Sequence, residues 1–141
     1  MRTISIPDLA GHLRLVIARS ARRLRQEAGA DLSPSLSAAL ATVERHGPMT
    51  PSELATRERI QRPTVTRILA RLEEAGLVLR TPDPHDRRSS LVTATAEGRA
   101  LLEELRTRKT AYLARRLEGL SPEDRATLER AATILERVLA E

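Results

Sequence analysis

The chain reads as a mainly α protein with one small β-hairpin: a helix-turn-helix pair followed directly by an Arg-studded hairpin, with long helices at both ends. Three observations predict this. Helix starts recur as a Ser or Thr cap followed by Pro, and apolar residues recur every three or four positions. Only between Leu77 and Ala94 does that period give way to two short, partly β-branched runs around a Pro/Asp-rich tip.

The elements follow in order. Ser5-Ile6-Pro7, with Pro one place late, opens a first helix whose stripe is Leu9, Leu13, Val16, Ile17 and Leu24. Ser33-Pro34 opens a second carrying Leu36, Ala39, Leu40 and Val43. Thr50-Pro51-Ser52-Glu53 has capping-box spacing and starts a short helix with Leu54 and Ala55. A helix from Arg62 to Ala75 bears Val65, Ile68, Leu69 and Leu72, completing the helix-turn-helix. Gly29, Gly47 and Gly76 sit where helices end and are expected in the left-handed cap conformation. Leu77 to Thr81 and Ser90 to Ala94 form the hairpin strands. Thr95 caps a long helix through Leu101, Leu102, Leu105, Tyr112, Leu113 and Leu117, and Ser121-Pro122 opens a last one with Leu128, Leu135, Val138 and Leu139. The apolar stripes of the first and last helices lie far from the central core. Such faces are usually completed by a second copy, so a homodimer is expected.

At 141 residues the chain is one domain. It has no Cys, which excludes disulfides, thiolate zinc sites and thiol redox sensing. The N-terminus has no apolar run fit for a signal peptide or a membrane span, so a soluble cytoplasmic protein is expected. His12, His46 and His85 are scattered without carboxylate clusters, and there is no Gly-rich phosphate loop. No enzyme, metal site or cofactor is therefore expected. The net charge of +5 comes almost wholly from arginine, since Lys109 is the only lysine. Residues 1–30 contribute +4 and residues 57–90 contribute +3, whereas 31–56 total −2 and 91–141 balance at zero. Positive charge gathers where a polyanion would dock.

On the helix from Arg62, the core residues face inward, so Pro63, Thr64, Thr66, Arg67, Ala70 and Arg71 turn toward solvent or its margins. A slim, Arg-bearing helix face suits the major groove, which is about 12 Å wide and where Arg forks onto guanine and a Thr methyl meets a thymine methyl. Arg67 and Arg71 are the foremost candidates, with Arg62 and Thr64 suited to phosphate or base-edge contact at the helix start. At the tip Pro82-Asp83-Pro84-His85-Asp86-Arg87-Arg88, Arg87 and Arg88 suit a narrow minor groove. Asp86 is read as a conformational residue that forks onto one guanidinium and leaves the other Arg pointing outward.

Leu54-Ala55, Arg62-Pro63-Thr64-Val65-Thr66-Arg67, Leu72-Glu73-Glu74-Ala75-Gly76-Leu77-Val78, the tip from Pro82 to Arg88 and Thr95-Ala96-Glu97-Gly98-Arg99 together resemble the MarR family of winged helix-turn-helix transcriptional regulators. The resemblance implies a single MarR-type domain over 1–141, with dimerisation helices at 1–30 and 120–141, a winged helix-turn-helix at 34–95 and a connecting helix at 96–119. It implies a sequence-specific dimeric regulator, most often a repressor, on a palindromic double-stranded DNA operator. Carried over by position, Arg62, Pro63, Thr64, Thr66 and Arg67 fall in the recognition helix and Asp86, Arg87 and Arg88 in the wing. A small aromatic or phenolic effector is the implied ligand, placed between the first, second and fifth helices and pointing to His12, Val16 and Tyr112.

Two departures stand out. Arg59 replaces the family's usual Gly in the turn and Gln61 its usual Ser, so Arg59 either tolerates a strained backbone or adopts another turn, and it could add a phosphate contact. Ala94 replaces the usual Leu before the capping Thr. The alternative function is a winged-helix module for nonspecific DNA coating or protein interaction, without ligand response.

Overall fold

A computed structural model describes residues 3–29 and 32–140. Its elements are α1 (Ile6–Ala28), α2 (Pro34–His46), α3 (Pro51–Glu58), α4 (Arg62–Glu74), β1 (Val78–Pro82), β2 (Ser90–Ala94), α5 (Ala96–Leu117) and α6 (Pro122–Leu139). The ends of the expected terminal segments, at residues 1–2, 30 and 141, lie outside the described residues.

Caps are built as their chemistry dictates. The side chains of Ser5, Ser33, Thr50 and Ser121 each accept the backbone N–H three residues on, and Pro stands at the start of each helix they open. Thr95 caps α5 through Gly98 N–H and also donates its hydroxyl to the carbonyl of Gly76 at 2.7 Å. It thereby joins α5 to the corner between α4 and β1. Gly98 is needed there for room, since a Cβ would lie 2.2 Å from the Leu77 carbonyl oxygen.

The helix ends are more varied than expected. Gly29 and Gly76 have positive φ, but Gly47 is extended, at φ −70°. Its N–H still caps α2 by bonding to the Val43 carbonyl at 2.8 Å. Glycine is still required, because a Cβ would meet the Val43 carbonyl oxygen at 2.5 Å.

β1 and β2 pair antiparallel from Val78↔Ala94 to Pro82↔Ser90, and Met49 adds an isolated bridge to Val92. One core gathers Leu40 and Val43 of α2, Leu54 of α3, Val65, Leu69 and Leu72 of α4, Val92 of β2 and Leu102 of α5. Ala94 packs at its edge. α1 lies against α5, where Arg108 Nη1 donates to the Ala28 carbonyl at 2.9 Å and satisfies an end of α1. α6 buries no residue.

Candidate nucleic-acid interface

The turn between α3 and α4 sets the presentation of the recognition helix. Arg59 takes a left-handed conformation, φ 54° and ψ 44°, with its N–H on the Ala55 and Thr56 carbonyls. Of the two courses open to it, the chain keeps the left-handed turn and bears the strain, a cost of roughly 1–2 kcal/mol for a residue with a Cβ. Gln61 starts α4 without a side-chain cap. Arg59 lines a polar groove of about 320 Å³ with Thr42, His46, Thr56 and Arg57.

α4 buries Val65, Ile68, Leu69 and Leu72 and leaves Arg62, Pro63, Thr66, Arg67 and Arg71 exposed. Thr64 is half-buried and lines a groove of about 280 Å³ with Arg67, Arg71 and the start of α2. Thr66 returns its hydroxyl to the Arg62 carbonyl at 3.0 Å, while an Arg67 amine reaches the Thr64 hydroxyl at 3.4 Å. The guanidinium of Arg62 bonds to the hydroxyl of Ser52 at the start of α3. Ser52 was not singled out from the sequence, although its position just inside a Pro-started helix beside the turn was a usable signal. An Arg and a Ser hydroxyl next to a helix N-terminus form an arrangement that can receive a phosphate.

The wing tip is organised by two aspartates acting on backbone. Asp83 Oδ1 accepts the His85 N–H at 2.9 Å and Asp86 Oδ1 accepts the Arg88 N–H at 3.0 Å, both local Asp turns. Asp86 is thus conformational, but not through a fork onto a guanidinium. Its partner is the chain itself, because the turn brings the N–H two residues on within reach. Among the described residues, neither the Arg87 nor the Arg88 guanidinium has an intramolecular hydrogen bond or ion pair, and both are exposed. Lower on the hairpin, Arg80 Nε lies 3.0 Å from Glu73 Oε2 at the end of α4. That nitrogen is off line for a hydrogen bond, so the contact is electrostatic.

The effector-pocket residues are not brought together. His12 and Val16 lie on the exposed side of α1. Tyr112 is held instead by Arg23, whose Nε donates to its hydroxyl at 3.1 Å, with the Arg116 guanidinium 5.2 Å from the ring centre. The bond from Arg23 favours the phenolate and holds the Tyr112 pKa below its ordinary value. The cavity between α1, α2 and α5 has a volume of about 510 Å³. Leu24, Ala38, Leu102 and Leu105 give it apolar walls, and Arg25, Arg106 and Lys109 add cations. His12, Val16 and Tyr112 are not among the residues that line this cavity within one chain. Among the described residues, no group of three or more His, Asp or Glu could hold a metal ion, and no helix is long and apolar enough to cross a membrane.

Comparison with known proteins matches residues 32–90 to the MarR family. An HTH-type transcriptional regulator of Mycobacterium bovis is 38% identical over 128 residues, 90% of each chain. Among solved structures, a protein of Pseudomonas aeruginosa described as a transcriptional regulator superposes with a TM-score of 0.88 at 33% identity, covering 99% of both chains. The multiple antibiotic resistance repressor MarR, known from Escherichia coli, superposes with a TM-score of 0.76 at 27% identity over 98% of this chain and 97% of its own.

Proposed function

The chain belongs to the MarR family of winged helix-turn-helix transcriptional regulators, and from that premise we propose that it is a homodimeric repressor that reads a palindromic operator through two grooves and is released by a small organic anion. Membership implies operator binding and dimerisation. The finer reading rests on one observation above the rest. Arg67 and Arg71 on α4, and Arg87 and Arg88 at the wing tip, stand exposed on two elements that share one core. A duplex offers a major groove and an adjacent minor groove, one for each element. Arg62, with Ser52, takes a flanking phosphate; Pro63 and Thr66 keep the helix face slim; Thr64 backs Arg67; Asp86 shapes the tip.

Dimerisation is assigned to α1 and α6. Ile6 (84% exposed), Val16 and Ile17 on α1 and Leu128, Ile134 and Val138 (67% exposed) on α6 are large apolar side chains open to water in one chain. Their burial between two copies supplies the driving force, and each copy places one recognition helix on a half-site.

The effector reading shifts from the stripe of α1 to the cavity between α1, α2 and α5. Apolar walls with cations on the wall suit an aromatic acid or a phenolate, the anionic members of the aromatic or phenolic class. Arg106 lines this cavity and also bridges Glu44 of α2 at 3.1 Å, so an anion there competes for a contact that ties α2 to α5. The test is a gel-shift titration against palindromes from flanking promoter DNA, with and without aromatic acids. Absence of preference for any palindrome sinks the proposal; preference without release by any such acid sinks only its effector half.

A further inference from the structure

The last turn of α4 carries Glu73 and Glu74, two carboxylates at a helix C-terminus. There they oppose the helix dipole, and on a helix that approaches DNA they also repel phosphate. Neither effect favours keeping them. Glu73, however, is matched by Arg80 at 3.0 Å. Arg80 sits mid-strand on β1, opposite Val92, whose side chain is fully buried in the core. The pair therefore connects the recognition helix to the rigid lower half of the wing, with side-chain exposures of 47% for Glu73 and 29% for Arg80.

Resting on the two-groove reading above, we propose that the Glu73–Arg80 ion pair is a positioning strut that sets the angle between the recognition helix and the wing, so that both reach their grooves together. Leverage makes the angle matter. The strand runs from Arg80 only to Pro82 before the Asp83 turn, so the tip at His85 lies within about 16 Å of Arg80, the reach of five fully extended residues at ~3.3 Å each. A rotation of about 10° at Arg80 moves the tip by up to about 3 Å, as much as half the ~6 Å width of the minor groove. Backbone pairing alone leaves a two-stranded ribbon free to twist, since such ribbons are the most strongly twisted and least constrained sheets. Arg80 has one competing role, direct contact with a DNA phosphate. The two roles differ in what Glu73 does: as half of a strut it aids binding, whereas as a neutraliser of a phosphate ligand it hinders it.

The test uses the full chain on an operator selected from random duplexes, at one fixed salt concentration, with hydroxyl-radical footprinting for the minor groove and protection of guanine N7 from methylation for the major groove beside the affinity measurement. Wild type is compared with Glu73→Gln, Arg80→Gln and the reversed pair Glu73→Arg/Arg80→Glu. The strut predicts that each single change weakens operator binding about three- to fivefold, and that the reversed pair recovers to within about twofold of wild type. Minor-groove protection should fade in the single variants while major-groove protection persists. Glu73 is a surface residue, so Glu73→Gln keeps the fold, as an unchanged melting temperature will show, and it is the deciding variant. Unchanged or tighter binding by Glu73→Gln, or a reversed pair no better than the summed single changes, overturns the strut. Wild type without any minor-groove protection overturns the two-groove reading and the strut with it.

Discussion

The winged helix-turn-helix and the terminal helices differ in what each completes within one chain. In the former, α2, α3, α4 and the hairpin close around Leu40, Leu54, Val65, Leu69 and Val92, all fully buried. In the latter, α6 buries nothing and α1 buries only Ala28. The same kind of amphipathic pattern runs through both regions. The lesson is that a periodic apolar stripe predicts a helix but does not say whether its partner is in the same molecule. Here the DNA-reading half is self-sufficient and the other half is assigned to a second copy.

The sharpest way to break this comparison is to charge the unfinished face. Leu128→Asp with Ile134→Asp should leave helix content intact yet yield monomers by sedimentation, with operator affinity down about a hundredfold or more as two linked half-site contacts become one. A dimer that survives this change removes α6 from the interface. The opposite region should respond in stability instead. Leu69→Ala, fully buried in α4, should cost about 2–5 kcal/mol in denaturant unfolding. A cost below about 1 kcal/mol, no more than an ordinary surface change, would mean that this core is not closed within the chain.

A smaller effect refines the DNA-binding half. Arg88→Ala removes an unpartnered cation at the wing tip, so the salt dependence of binding should flatten by ~1 in the slope of log affinity against log salt. An unchanged slope places that side chain away from DNA.

Local chemistry was legible in the sequence. A Ser or Thr just ahead of a helical run, most often with Pro next to it, fixes a cap within three residues, and all the expected caps at Ser5, Ser33, Thr50, Thr95 and Ser121 are made. The hairpin was nearly as clear, because Leu77 to Ala94 is the one place where the helical period lapses; β2 lies as expected, while β1 starts and ends one residue later, at Val78–Pro82. What depends on approach between distant segments was not legible. Gly47 is kept for the close Val43 carbonyl rather than for a left-handed cap, and nothing within a few residues signals that. The Glu73–Arg80 pair and the Ser52–Arg62 bond join residues seven and ten apart across element boundaries, where spacing rules do not apply. Asp86 was read against a guanidinium, but its carboxylate takes the Arg88 backbone N–H, since a nearby backbone donor outcompetes a flexible guanidinium. The cavity cations Arg25, Arg106 and Lys109 come from two helices whose rotation only packing decides.

The central claim is that α4 reads bases rather than merely holding phosphates. Binding of Arg67→Ala should be measured at constant salt across a panel of operators, each altered at one base pair, with nonspecific duplex as reference. Base reading predicts a loss of ~1–3 kcal/mol on the intact operator, no further loss when one particular base pair per half-site is altered, and little change on nonspecific duplex. An equal loss on every sequence, nonspecific duplex included, would contradict the account and leave a phosphate-gripping module in its place.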